Sequence, residues 1–61
     1  MNTFYCVTSA YYSDGRVEAN ITDMNIGSHK PTNTFVSLPR CDVYVDWFDS
    51  YEEAEEFCQS A

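Results

Sequence analysis

Carboxylates are the functional groups this chain holds in quantity: ten Asp and Glu against three Lys and Arg in 61 residues, for a formal charge of -7. Their spacing limits what they can do. Asp42 and Asp46 share one face of an extended segment, but at the rise of a strand their Cα atoms lie about 13 Å apart. That is too far for one metal ion, or for an acid and base working as a pair, without a third group between them. Asp14 is the weak candidate for metal-assisted chemistry, with Asp42 or Asp46 as its partner. Asp14-Gly15 is also the dipeptide of a tight hairpin turn, which accounts for the aspartate without any chemistry.

The other reactive side chains are sparse. His29 stands beside Lys30 with no local nucleophile or orienting acid. Cys6, Cys41 and Cys58 with His29 supply ligand atoms for one zinc site, yet no C-x-x-C pair anchors it. An odd cysteine count is not a disulfide framework, so three reduced, metal-free thiols are expected. There is no glycine-rich phosphate loop and no nucleophile-elbow serine. The residues therefore favour a non-enzymatic protein without a cofactor.

The charge itself is the least ordinary feature. Asp14, Glu18 and Asp23 balance Arg16, Lys30 and Arg40, so the entire formal charge sits in residues 42–61. Asp42, Asp46, Asp49, Glu52, Glu53, Glu55 and Glu56 occur there with no basic residue. Such a field repels phosphate backbones, which makes direct nucleic-acid binding unfavourable, and it attracts a basic protein surface. An acidic surface can also mimic the phosphates of a nucleic acid. Asp42, Asp46, Asp49, Glu52, Glu53 and Glu56 are the candidate partner-binding set.

These groups must be positioned by few elements, because 61 residues make one small domain, 1–61. Residues 3–12 are β-branched and aromatic and predict a strand. Val17, Ala19 and Ile21 alternate with Arg16, Glu18, Asn20 and Thr22 in a second strand, which Met24 and Ile26 extend beyond an irregularity. Residues 34–38 and 41–48 predict two more. Asp49 and Ser50 are both N-cap residues with a glutamate three positions on, followed by the apolar stripe Tyr51, Ala54, Phe57 and Cys58. The expected fold is α+β: a four-stranded, mainly antiparallel sheet with one C-terminal helix on one face (ββββα).

A two-residue turn at 14–15 would set Tyr12 opposite Val17 and Ala10 opposite Ala19. Phe4, Cys6, Ala10 and Tyr12 then face the core with Val17, Ala19, Ile21, Val43, Val45, Trp47, Ala54 and Phe57. Tyr5, Val7 and Tyr11 are left on the other face, as a self-association surface for a homodimer. A longer turn exchanges the two faces.

The run from Asp42 to Phe57, with Tyr12-Ser13-Asp14-Gly15-Arg16-Val17 before it, resembles small uncharacterised proteins carried by phages and mobile elements of gut Firmicutes. The order of four strands then a helix is also similar to small anti-CRISPR proteins with the fold of the single-stranded-DNA-binding domain of transcriptional coactivators. One such family is associated with nicking of supercoiled DNA, and the resemblance would make Asp14 the residue to watch. Three basic residues are few for holding DNA. The resulting expectation is an acidic interaction module, an inhibitor of a nucleic-acid-handling protein in a phage or mobile-element setting. DNA nicking and a regulatory homodimer are the alternatives. With no secretion signal and no apolar run of about eighteen residues, the expected location is cytoplasmic, away from any membrane.

Overall fold

The computed structural model describes residues 1–60. Strands β1 (Asn2–Tyr12), β2 (Val17–Gly27), β3 (Thr34–Ser37) and β4 (Cys41–Phe48) precede one helix, α1 (Tyr51–Ser60). The strands form a single antiparallel sheet in the order β2-β1-β4-β3. The helix packs on β1, β2 and β4. This is the ββββα architecture expected from the sequence. Central β1 is the best covered strand, carrying buried Phe4, Cys6, Val7 and Ser9.

The β1–β2 turn has three residues, not two. Tyr12 N–H donates to the Arg16 carbonyl (2.8 Å) and Gly15 N–H to the Tyr12 carbonyl (3.0 Å), closing the loop Ser13-Asp14-Gly15. Gly15 sits at φ 95°, the left-handed position that closes three-residue hairpins and that a Cβ disfavours. The register is consequently Tyr11↔Val17, Ser9↔Ala19 and Val7↔Ile21. A one-residue change of register moves every side chain of a strand to the opposite face.

That shift corrects the expected faces. The side chains of Val17, Ala19 and Ile21 lie with Tyr5, Val7, Ser9 and Tyr11, and this is the face the helix covers. Tyr5 meets Tyr51 edge-on at 5.6 Å, and both Val7 and Ala54 are 0% exposed. Tyr5 and Val7 therefore belong to the helix–sheet core and are no self-association surface; Tyr11 alone of that trio stays exposed. Val43, Val45 and Trp47 pair with Ala10, Thr8 and Cys6 on the opposite, helix-free face. They are half-buried there, so the expected single core divides between the two sides of the sheet. Val17 is exposed rather than buried, beyond the reach of the helix.

A β-bulge completes the helix face. Pairing passes from Cys6↔Asp23 to Val7↔Ile21, leaving Thr22 as the extra residue. The bulge changes the parity of β2, so Met24 and Ile26 follow Val17, Ala19 and Ile21 onto the same side. The displaced Thr22 hydroxyl lies 2.8 Å from that of Thr8 and donates to Cys6 Sγ. The 28–33 connection crosses the end of the sheet to reach β3, held by Trp47 N–H donating to Asn33 Oδ1 (2.8 Å). At the start of α1, Ser50 is the cap: its Oγ accepts the Glu53 N–H at 3.2 Å.

Candidate functional site

The ten-residue helix is shorter than the strands beneath it, so part of its face of the sheet stays open. A row of side chains crosses the sheet there: Val17 on β2, Tyr11 on β1, Tyr44 on β4 and Phe35 on β3. Tyr11 and Tyr44 meet edge-on with ring centres 5.4 Å apart, and Tyr44 meets Phe35 at 4.7 Å. Tyr11 and Tyr44 are each 39% exposed, and Phe35 is 53% exposed. Phe57, in the last helical turn and 5.1 Å from Phe48, walls the row on the helix side. The result is a groove of about 470 Å³ lined by Tyr11, Asp42, Tyr44, Asp46 and Phe57.

Strand alternation places Asp42 and Asp46 on either side of Tyr44. Both are half-buried. Asp42 Oδ1 accepts the Ser37 hydroxyl at 3.0 Å, and among the described residues its second oxygen has no hydrogen-bond partner. The last turn of α1 has no basic residue, so the negative end of the helix dipole near the groove is not offset. Glu53 and Glu56 lie on the adjoining surface with Phe48 and Phe57. The structure thus gathers Asp42, Asp46, Glu53 and Glu56 on the helix side of the molecule.

Glu52 is exposed in the first turn, further from the groove. Asp49 faces Lys30 Nζ at 3.8 Å and is partly neutralised. Asp14 is engaged within the turn: its two oxygens accept the Arg16 backbone N–H (3.0 Å) and the Arg16 Nε (2.9 Å). No group of three or more His, Cys, Asp and Glu stands close enough to hold a metal ion among the described residues. The three cysteines are separate thiols, Cys6 buried and Cys41 and Cys58 partly exposed.

The Tyr12 phenol is held above its ordinary pKa, first by the negative charge of Glu18, then by desolvation and by the hydrogen bond it donates to Glu18 Oε2 (3.3 Å). Arg16 opposes the shift, its guanidinium carbon lying 4.6 Å from the centre of the Tyr12 ring.

The aromatic lining of the groove is what the sequence reading missed. The alternation Asp42, Tyr44, Asp46 already put those three on one face; assigning the helix to the opposite face hid their relation to Tyr11 and Phe57. No helix among the described residues is long and apolar enough to cross a membrane. Comparison with protein-family models, curated proteins and solved structures gave no match.

Proposed function

We propose that this chain is a non-enzymatic, acidic interaction module that docks on a basic surface of a nucleic-acid-handling protein. A cytoplasmic, anti-defence or accessory role in a phage or mobile element fits that reading, as the anti-CRISPR resemblance implies. The observation that carries it is the one-sided placement of charge: Asp42 and Asp46 on β4 and Glu53 and Glu56 on α1 face the same side. With a formal charge of -7, that side attracts a phosphate-binding surface and repels phosphate itself. DNA nicking through Asp14 is the weaker alternative, because Arg16 already occupies that carboxylate.

The test is affinity capture from host cells with the wild type and with a quadruple variant, Asp42→Asn, Asp46→Asn, Glu53→Gln, Glu56→Gln. Basic nucleic-acid-binding proteins should be enriched by the wild type, released as salt rises, and lost with the variant. A partner that the variant retains at high salt removes the acidic surface from the function.

The helix-free face supports a second reading, a homodimer through the sheet. On that face β1, β4 and β3 present Thr8, Ala10, Tyr12, Val43, Val45, Trp47, Thr34 and Val36, while Glu18 and Asp23 lie along its β2 edge. Two copies of so acidic a chain meet with least repulsion there. Sedimentation should show a dimer that Val43→Glu dissociates. A wild type monomeric at about 100 μM, well above the micromolar-to-picomolar range of standard-size interfaces, ends this reading.

A further inference from the structure

We infer that the groove between Phe57 and β4 is an anchoring site for one arginine side chain of the basic partner. This rests on the acidic-module reading above and adds the contact that gives such docking its register. Long-range charge steers an encounter but fixes no geometry; affinity and specificity concentrate in a few desolvated anchors.

The groove has what a guanidinium requires. Its floor is the partly exposed Tyr44 side chain, with Tyr11 perpendicular to it at 5.4 Å and Phe35 tilted against it at 4.7 Å. A cation over such a ring is drawn to its negative face, and arginine's flat group also stacks on it. Asp42 and Asp46 stand two residues before and after Tyr44 on the same face, so a guanidinium over that ring has a carboxylate at either end. Asp42 keeps one oxygen without a hydrogen bond among the described residues, and paired N–H donors are what carboxylate geometry matches best. Phe57 forms an apolar wall for the methylene stem. The molecule already places an arginine on a tyrosine, Arg16 over Tyr12 at 4.6 Å beside a carboxylate.

Charge and chemistry exclude the other occupants of an aromatic platform. A nucleobase brings its phosphates against Asp42 and Asp46. An apolar side chain desolvates two half-buried carboxylates and gives neither a new partner. A lysine is attracted as a point charge but forms neither the planar stack nor the forked pair.

NMR titration of the full chain with three capped peptides, Gly-Gly-X-Gly-Gly with X as arginine, lysine or citrulline, tests this. The arginine peptide should shift the Tyr11 and Tyr44 ring resonances saturably. The lysine peptide should bind at least five-fold more weakly, and the uncharged citrulline peptide should not bind. Tyr44→Leu and, separately, Asp46→Asn should each weaken the arginine peptide at least five-fold, while Glu55→Gln, on the exposed side of the helix, leaves it unchanged. Asp46→Asn preserves side-chain volume, so its result stands even if Tyr44→Leu disturbs the sheet. Equal binding of the arginine and lysine peptides, or shifts confined to the exposed helix face, would overturn the arginine site and leave the acidic module standing. Citrulline binding as well as arginine would overturn both.

Discussion

Ser9 lies at the centre of the sheet, fully buried between Ala19 and Tyr44, and its hydroxyl has no hydrogen-bond partner among the described residues. An unpaired buried hydroxyl costs free energy that an alanine does not. Ser9→Ala should therefore raise the unfolding free energy by about 1 kcal/mol in a urea titration; a loss of stability would mean that the hydroxyl has a role in the fold. Tyr12 offers a second test at this scale. Its pKa is raised in the folded state, chiefly by Glu18. Its contribution to stability is thus complete below the unfolded tyrosine pKa and is lost as pH rises through the folded one. In an absorbance titration Tyr12 should ionise above the ordinary tyrosine range, and Glu18→Gln should bring it down. That Asp14 sits in a hairpin turn was legible in the sequence from Asp-Gly; that the turn has three residues and not two was not. Ser9 was not, because a serine in a strand shows nothing of what covers it.

At the scale of elements, all four strands and the helix follow from local pattern, and the hairpin turn decides how they combine. Replacing Gly15 by alanine places a Cβ at φ 95°, at a cost of about 1 kcal/mol. Denaturant unfolding of Gly15→Ala checks this, and unchanged stability would show that the loop relaxes to another turn type. The helix start separates two residues that the sequence left equivalent. Ser50 makes the capping hydrogen bond and Asp49 pairs with Lys30 at the surface. Ser50→Ala should cost about 1 kcal/mol and Asp49→Ala less than half of that. The reverse order in thermal melts would move the cap back to Asp49. The bulge at Thr22 was foreshadowed by the apolar series 17, 19, 21, 24, 26, whose step from 21 to 24 breaks an alternation that one extra residue restores.

The whole molecule is polarised. One side holds the helix, its glutamates and the Tyr44 groove; the other is a sheet surface whose acids, Glu18 and Asp23, lie along its β2 edge. Seven uncompensated negative charges also repel one another in the compact state. Raising NaCl from about 20 to about 300 mM shortens the Debye length severalfold and should raise the melting temperature. The same change should weaken binding to a basic partner, so stability and affinity move in opposite directions with salt. A melting temperature indifferent to salt would show that the acids are already too far apart to repel.

The sequence by itself determined the number, order and type of the elements, the hairpin at Asp14-Gly15 and the concentration of charge after Asp42. Each of these is local: alternation, turn chemistry and capping act over a few residues. Which face of the sheet the helix covers was decided only in the tertiary structure. A two-residue and a three-residue loop fit the same Ser13-Asp14-Gly15-Arg16, yet they send the side chains of Tyr5, Val7 and Tyr11 to opposite sides. The choice rests on which register lets Val7, Ala19 and Ile21 pack together beneath Ala54. That is a long-range packing energy, and no single segment carries it. The groove depends on the same choice: only with the helix on this face does Phe57 stand beside Asp42, Tyr44 and Asp46.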